Sequence, residues 1–331
     1  MERTPEIDQK LTLLQEKYNL IGQSTESYLE GLLYANPLGY WDYIMTDTLL
    51  SLQHPRTDFP DELIFIMYHQ ITELYFKLSL SELEQIAHNG KNISVAGQDL
   101  GWNEKLDVNL FTDRLRRVNA YFEALTKSFD IMIKGMEPSQ FLKFRMALLP
   151  ASGFQSAQYR MIEICATDLI NIVSVKKREE LRGADIEAQF EHIYWKEGAT
   201  ELESGKKTLT LKQFEDKYAS NLLDLAKRYK GINIWQKFRT IEDEGLATEA
   251  LRKEMRQLDV NVNINWPLVH YKSAVRYLTK DDNDDTPATG GTNWQKYLPP
   301  RFQKRIFYPT LWSEEEKENW GKSWVDEVLA R

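Results

Sequence analysis

Residues 61–77 read DELIFIMYHQITELYFK, and their pattern of apolar residues is typical of a helix. The apolar residues recur at intervals of three and four positions, which is the spacing of one helix face. They include Leu63, Ile66, Met67 and Leu74, and Leu78 directly after the stretch continues the spacing. Asp61 and Glu62 stand where the helix dipole favours negative charge, and Asn89-Gly90 interrupts the pattern. Residues 61–88 are therefore predicted to form one long, well-buried helix.

Helical spacing of apolar residues extends over most of the chain. The matching segments are residues 11–18, 43–52, 111–135, 155–175, 212–230, 248–258 and 265–278. No comparable series of alternating strands occurs, so the sequence predicts the all-α class, as a large helical bundle. Residues 1–331 are predicted to form a single domain, with a helical N-terminal arm over about residues 1–45.

Two segments depart from this apolar pattern. Residues 176–235 are richer in charge and poorer in apolar positions, which predicts a peripheral helical insertion rather than a second domain. Residues 280–300 combine an acidic run with Gly290-Gly291 and Pro299-Pro300. These turn-forming residues exclude a regular helix and predict a polar loop.

Composition and charge exclude several classes of protein. The 331 residues carry a formal net charge of −8 and no stripe of basic side chains, so no nucleic-acid partner is expected. The single cysteine, Cys165, cannot form an internal disulfide, which favours the cytoplasm. The longest apolar runs fall far short of the roughly 20 residues needed to span a bilayer, so no membrane partner is expected.

Five histidines limit the metal sites that the chain can build. They are His54, His69, His88, His192 and His270. The zinc motif HExxH is absent, and no histidine follows a glutamate by three residues, so the paired ExxH elements of di-iron bundles cannot form. The phosphate loop GxxxxGK[ST], the GxSxG elbow and the GxGxxG fingerprint are also absent, which removes the usual support for hydrolases, kinases and simple NAD enzymes.

Two of these histidines lie in apolar helical segments. Phe65 precedes His69 by four positions and therefore shares its helix face. A lone histidine on such a face either forms hydrogen bonds within the core or binds a ligand. His270 lies in NWPLVHYKSAVRYL, residues 265–278, where an imidazole also suits an axial ligand of haem iron.

Arg145 adds a permanent charge to the apolar segment FLKFRMALLP, residues 141–150. Phe141 precedes it by one helical turn on the same face. A buried guanidinium without a partner is costly, so Arg145 needs an anion. That anion is either an internal Asp or Glu, or a substrate carboxylate that arginine holds with two parallel hydrogen bonds.

Taken together, these segments resemble the tryptophan 2,3-dioxygenases. The resemblance rests, in chain order, on YIMTDTLLSLQ (43–53), DELIFIMYHQITELYFK (61–77), FRMALLPASGFQSAQYR (144–160), HYKSAVR (270–276) and TGG (289–291). The ELYFK and PASGFQSAQYR stretches are long and unusual, and the matches run from near the N-terminus almost to the C-terminus.

The resemblance implies a haem dioxygenase that cleaves the indole C2–C3 bond of L-tryptophan with O2. The implied product is N-formylkynurenine, so the reaction would be the first step of tryptophan catabolism by the kynurenine pathway. The implied cofactor is haem b (iron protoporphyrin IX), ferrous in the active form. His270 would be the axial ligand of the haem iron.

The same resemblance implies roles for the substrate-binding residues. His69 would be the catalytic residue that bonds the indole N–H, and Phe65 would pack against the indole. Phe141, which is Tyr in some members, would form an apolar wall. Arg145 would bind the substrate carboxylate, and Thr289 would bind the amino-acid head group together with a haem propionate.

The family also implies a particular assembly. Tyr40, Tyr43 and Ile44 resemble residues of the N-terminal arm that complete the pocket of a neighbouring subunit. The expected assembly is a homotetramer, a dimer of dimers, of mostly helical subunits.

The segment around Thr289 departs from the family. Members commonly read GTGGSSG where this chain has ATGGTNW, residues 288–294. This keeps open a related haem enzyme that oxygenates another indole or aromatic amino acid, with one oxygen atom rather than two. The alternative of another class is a non-enzymatic helical binding or scaffold protein, in which His69 and Arg145 are satisfied core residues.

Overall fold

The computed structural model describes residues 4–35, 38–94, 97–199, 206–278 and 299–322. Helices dominate these residues, which confirms the predicted all-α class. The one sheet in the described part of the chain is an antiparallel hairpin of β1 (Lys91–Ile93) and β2 (Asp99–Trp102). None of the described helices is long and apolar enough to span a membrane.

The chain divides into two compact units, residues 1–54 with 91–102, and residues 55–90 with 103–331. The first unit contains the hairpin and α1 (Pro5–Leu20), α2 (Thr25–Tyr34), α3 (Tyr40–Tyr43) and α4 (Thr46–Leu50). No residue of these four helices is buried. The predicted single domain with an N-terminal arm stays a prediction.

The second unit contains the remaining helices and the hydrophobic core. Its α-helices are α5 (Asp61–Ala87), α6 (Val108–Ser128), α7 (Asp130–Lys134), α8 (Pro138–Phe144), α9 (Ala157–Ala166), α10 (Val175–Arg178), α11 (Ile186–Glu191), α12 (Tyr194–Gly198), α13 (Leu209–Tyr229), α14 (Ile234–Asp243), α15 (Glu249–Val260), α16 (Trp266–Leu278), α17 (Pro300–Gln303) and α18 (Glu314–Glu318). Short 3-10 helices cover Arg145–Leu148, Gly153–Gln155, Leu169–Ile172 and Pro309–Leu311, and a π-helix covers Asn261–Asn265.

Helix α5 has its predicted extent, but its buried face is not the predicted one. Residues of the quoted apolar stripe, such as Leu74 and Leu78, are 50% and 48% exposed. The buried face instead contains Tyr68, Phe76 and Leu83. The prediction that this stripe enters the core is wrong, because a helix with apolar residues on two faces does not reveal which face its own chain covers.

The core forms where α6 and α9 pack against α5, and where α15 packs against α6. Helix α6 contributes one fully buried stripe at spacings of four and three residues: Phe111, Leu115, Val118, Phe122 and Leu125. Each such side chain stabilises the folded state by roughly 2 kcal/mol through removal of apolar surface from water. The sequence predicted one helix over residues 111–135, but α6 ends at Ser128 and a second helix, α7, begins at Asp130.

A π-helix joins α15 to α16, where the sequence predicted an interruption. Its wider turns hold buried asparagines that bond to one another and to the neighbouring helix. Asn261 donates to Asn119 Oδ1 on α6 at 3.2 Å, and Asn265 donates to Asn261 Oδ1 at 3.0 Å. Asn261 and Asn265 thus find partners inside the protein, and Asn261 connects the π-helix before α16 to α6.

The charged segment of residues 176–235 also contributes to the core. Phe190, Trp195 and Phe214 are each at most 3% exposed. The rings of Trp195 and Phe214 meet edge to face with centroids 5.4 Å apart. The helices of this segment, α11, α12 and α13, thus combine charged residues with buried aromatic residues.

Candidate functional site

His69 on α5 and His270 on α16 each bond to their own helix in the same way. His69 Nδ1 lies 2.7 Å from the Phe65 carbonyl oxygen, and His270 Nδ1 lies 3.0 Å from the Trp266 carbonyl oxygen. A carbonyl oxygen only accepts, so each Nδ1 carries a proton and donates it. In both neutral imidazoles, Nε2 therefore keeps its lone pair.

Burial keeps both imidazoles neutral near pH 7. Loss of water lowers the pKa of His69, although the bond to Phe65 opposes this change. The pKa of His270 is lowered to about 4, chiefly by burial, and the nearby His69 lowers it further. A neutral imidazole with a free Nε2 lone pair can accept a proton or bind a metal.

Aromatic rings surround His69. The Phe65 ring lies against it, with centroids 4.2 Å apart. Two rings of α8 approach Phe65 in turn, Phe141 at 6.2 Å and Phe144 at 5.7 Å. These rings present flat apolar surface beside a hydrogen-bond acceptor, which suits a ligand that is itself flat and carries an N–H group.

His270 has aromatic neighbours of its own. Its ring lies 4.5 Å from the Trp266 ring and 4.6 Å from the Phe129 ring. Phe129 also meets the ring of Tyr68 on α5 edge to face at 5.5 Å. The two histidine-bearing helices are therefore connected through Phe129, where α6 ends.

Arg145 follows α8 directly and opens a 3-10 helix. It is 7% exposed, and burial lowers the pKa of its guanidinium. Phe141 and Phe144 precede it in the same short segment. The predicted wall residue, Phe141, thus contacts Phe65, and the predicted carboxylate anchor, Arg145, begins the 3-10 helix that directly follows α8.

Three elements pack against both histidine helices, namely α6, α7 and α8. The site therefore lies where α5 and α16 converge on these three helices. It joins His69, Phe65, Phe141 and His270, which come from three distant parts of the sequence, and Arg145 directly follows the helix of Phe141.

The residues of this site fit a haem group. Iron in haem takes four nitrogens from the porphyrin and a further ligand from the protein, and an imidazole with an available Nε2 is one of the side chains that can supply it. His270 meets that requirement, and its Nδ1–H bond to a backbone carbonyl is the support that metal-bound imidazoles usually have. In the described residues, no group of three His, Cys, Asp or Glu side chains could hold a metal ion by itself.

The other four predicted site residues lie in the first unit or outside the described residues. Tyr40, Tyr43 and Ile44 belong to the first unit, and their side chains are 72%, 75% and 39% exposed. Thr289 lies outside the described residues. The roles predicted for these four residues stay predictions.

Sequence reasoning missed three aromatic residues of the site. Trp266 precedes His270 by four positions, so the spacing that identified Phe65 beside His69 could have identified it. Phe144 lies directly before Arg145, so its position next to a predicted site residue could have identified it. Phe129 has no such signal, because its contact with His270 joins residues 141 positions apart in the chain.

Comparison with known proteins assigns the family. A family model described as tryptophan 2,3-dioxygenase matches residues 32–273. The tryptophan 2,3-dioxygenase of Ruegeria sp. (strain TM1040) is 38% identical over 130 residues, which are 39% of this chain and 42% of that protein. The tryptophan 2,3-dioxygenase 2 of Ralstonia nicotianae is 41% identical over 133 residues, 39% of this chain and 34% of that protein.

A third relative is the tryptophan 2,3-dioxygenase of Shewanella woodyi, 38% identical over 128 residues, which are 39% of this chain and 40% of that protein. The chain thus matches less than half the length of these curated relatives. The family model itself covers well over half of the chain, including His69, Arg145 and His270. The chain therefore belongs to the tryptophan 2,3-dioxygenase family.

Proposed function

We propose that this protein is a haem-dependent tryptophan 2,3-dioxygenase. It cleaves the indole C2–C3 bond of L-tryptophan with O2 to give N-formylkynurenine, the first step of the kynurenine pathway. The observation that carries the proposal is the pairing of two neutral, half-buried imidazoles, His69 and His270, in one aromatic site. Family membership supports the same reaction.

The proposed cofactor is haem b, held through Nε2 of His270. When bound, its ferrous iron would supply the chemistry that activates O2. Trp266 and Phe129 flank the imidazole and limit its rotation. The Nδ1–H bond to the Trp266 carbonyl fixes the tautomer and raises the basicity of Nε2.

His69 is the proposed catalytic residue. Its Nε2 lone pair accepts a hydrogen bond from the indole N–H, because its Nδ1 proton is already donated to the Phe65 carbonyl. Phe65, Phe141 and Phe144 would cover the indole and exclude water. Orientation of the substrate in this way lowers the barrier without requiring His69 to remove a proton.

Arg145 is the proposed anchor of the substrate carboxylate. Arg145 directly follows Phe144 in the chain, and its planar guanidinium matches a carboxylate with two charge-assisted hydrogen bonds. The amino group of tryptophan would be bound by Thr289, together with a haem propionate, as the family resemblance implies. One apolar wall and one polar anchor then define both ends of the amino acid.

A homotetramer, arranged as a dimer of dimers, is part of the proposal. Helix α2 exposes Leu32 and Leu33, which are 70% and 83% accessible. Helix α5 exposes a stripe of five large apolar residues: Leu63, Met67, Ile71, Leu74 and Leu78. Apolar surface of this extent is typical of a subunit interface. In such an assembly Tyr40, Tyr43 and Ile44 would complete the site of a neighbouring subunit.

A cytoplasmic location is proposed as well, because the one cysteine, Cys165, is a buried free thiol.

The test of this function combines a spectrum with a labelled substrate. The haem-reconstituted, reduced protein is first examined without oxygen, and L-tryptophan and isotopically labelled O2 are then added. A Soret band followed by a product with two labelled atoms supports the proposal. Incorporation of one labelled atom, or turnover only of another indole, would favour a related haem oxygenase. Failure to take up haem would favour a non-enzymatic helical protein and contradict the proposal.

A further inference from the structure

Helix α8 is too short to hold its own position. It has seven residues, and its N-cap residue, Glu137, makes no capping bond with its side chain. Isolated helices much shorter than about 12 residues are marginal in water, so contacts from elsewhere have to hold α8 in place. Because α8 and the turn after it contain Phe141 and Arg145, whatever holds α8 also sets the geometry of the substrate side of the site.

The first such contact comes from the start of α5. The buried Asp61 accepts a 2.6 Å hydrogen bond at Oδ2 from the backbone N–H of Glu137. In return, the backbone N–H of Asp61 donates to Gln140 Oε1 at 3.3 Å. Both N–H groups stand at helix starts, where the helix itself supplies no acceptor. Residues at the start of α5 and of α8 therefore supply acceptors for each other's backbone N–H groups.

The second contact comes from α16. The hydroxyl of Tyr277, seven residues after His270, lies 2.7 Å from the Met132 carbonyl oxygen and 3.2 Å from those of Ile133 and Met136. These carbonyls belong to the end of α7 and the turn that leads into α8. Tyr277 is 4% exposed, and its ring lies 4.7 Å from that of Phe141. It therefore contacts the turn before α8 and the wall residue on α8 together.

We propose that Asp61 and Tyr277 form a brace that positions Phe141 and Arg145 for substrate binding. The brace connects the helix of His69 and the helix of His270 to the short segment that contains Arg145, the proposed anchor of the substrate carboxylate. Asp61 and Tyr277 are positioning residues, because they act through Phe141 and Arg145. This inference rests on the proposed function, since it takes an indole amino acid as the ligand.

The brace affects binding of the carboxylate end of the ligand more than binding of its indole end. A shift of α8 changes the distance from Arg145 to a carboxylate, whereas the contact of His69 with the indole N–H depends on α5 alone. Loss of the brace should therefore weaken ligands that carry a carboxylate more than ligands that lack one. A purely structural role would instead weaken both kinds of ligand equally, or only lower the stability of the protein.

The experiment measures equilibrium binding of L-tryptophan and of tryptamine, its decarboxylated form, to the haem-loaded protein without oxygen. The variants are Tyr277→Phe, which keeps the ring and removes the hydroxyl, and Asp61→Asn, which keeps an acceptor but removes the charge. Tyr229→Phe is the matched control, because it removes another buried tyrosine hydroxyl from α13, a helix without a site residue. Hydrogen exchange of the Glu137 amide reports the brace independently of binding.

We expect Tyr277→Phe to weaken tryptophan binding about fivefold, the equivalent of one neutral hydrogen bond, and to weaken tryptamine binding clearly less, because tryptamine depends on Phe141 but not on Arg145. The Glu137 amide should exchange faster in this variant and not in Tyr229→Phe. Equal weakening of both ligands, or no weakening of either, would overturn the brace. If Tyr277→Phe does not fold, the same comparison with Asp61→Asn decides. Failure of the unaltered protein to bind either indole would overturn the proposed function itself, and the inference with it.

Discussion

The indole N–H of Trp312 donates a 2.9 Å hydrogen bond to the buried carboxylate of Asp259. The same carboxylate accepts the backbone N–H of Phe307 at 3.0 Å and of Tyr308 at 3.2 Å, and the side chain of Asn263 at 2.7 Å. One side chain near the end of α15 thus fastens residues 307–312 to the helix that continues, through the π-helix, to His270.

Replacement Asp259→Asn should destabilise the protein by about 3 kcal/mol, because an amide N–H2 then faces donors in place of an acceptor. Urea unfolding followed by circular dichroism measures the effect. Asp243→Asn, at an exposed carboxylate on α14, is the control and should change stability by less than about 0.5 kcal/mol. Equal stability of Asp259→Asn and the unaltered protein would show that these four hydrogen bonds contribute nothing.

The free energy of unfolding should depend on pH through the buried carboxylate of Glu62. Its buried carboxylate accepts backbone hydrogen bonds from Arg56 and Thr57, each at 2.8 Å. Burial raises the pKa of Glu62, but these bonds and the Thr57 hydroxyl lower it by more, so the folded value lies below 4.5. The unfolded state therefore binds its proton first as the pH falls, and the stabilisation is complete above pH 4.5 and lost below it.

Glu62→Gln should accordingly reduce the free energy of unfolding by about 2 kcal/mol at pH 7, and this difference should shrink below pH 4.5. Unfolding in urea at a series of pH values measures it. Glu123→Gln, at an exposed position of α6, serves as the control. A difference that stays constant down to pH 3 would contradict the assignment to Glu62.

His270→Ala should abolish stable haem binding, because the variant loses the imidazole Nε2 on α16 that is proposed to bind the haem iron. Haem content after reconstitution, measured by the Soret band per protein, is the test. His88→Ala at the end of α5, whose ring packs near Tyr229, is the matched control and should retain haem. A normal haem spectrum in His270→Ala would remove His270 as the axial ligand.

Arg145→Met should weaken L-tryptophan binding about 100-fold, since two charge-assisted hydrogen bonds are lost at a total cost of ~3 kcal/mol. Tryptamine, which has no carboxylate, should bind the variant and the unaltered protein equally. The two affinities are measured by titration of the haem-loaded proteins. Should both ligands lose affinity to the same extent, Arg145 has a different role.

Leu74→Glu should dissociate the proposed oligomer and leave the fold of the subunit intact. The side chain is 50% exposed on α5, so a carboxylate there costs little in the separated subunit but is buried in an interface. Analytical ultracentrifugation gives the assembly, and circular dichroism gives the helix content. Asn221→Glu on α13 controls for the added charge. An unchanged sedimentation coefficient would exclude the α5 stripe from the interface.

Local spacing explains which parts of the site were predictable. The four-residue interval places Phe65 beside His69 and Phe141 beside Arg145 on any helix, so these pairs follow from the sequence whatever the fold. The extent of α5 was predicted as well, because a long apolar repeat and the Asn89-Gly90 stop are local signals. The brace formed by Asp61 and Tyr277 has no such signal, since Asp61 bonds to a residue 76 positions away and Tyr277 to a carbonyl 145 positions away.

The sequence alone was enough to predict the all-α class, the extent of helix α5 and the position of Phe65 beside His69, because these depend on hydrogen bonds and contacts within a few residues. Only the tertiary structure decided which face of α5 is buried and that Phe129 packs on His270. It also decided that a π-helix continues α15 into α16. These features depend on how distant helices pack, and the packing free energy is a sum over contacts that no single segment contains.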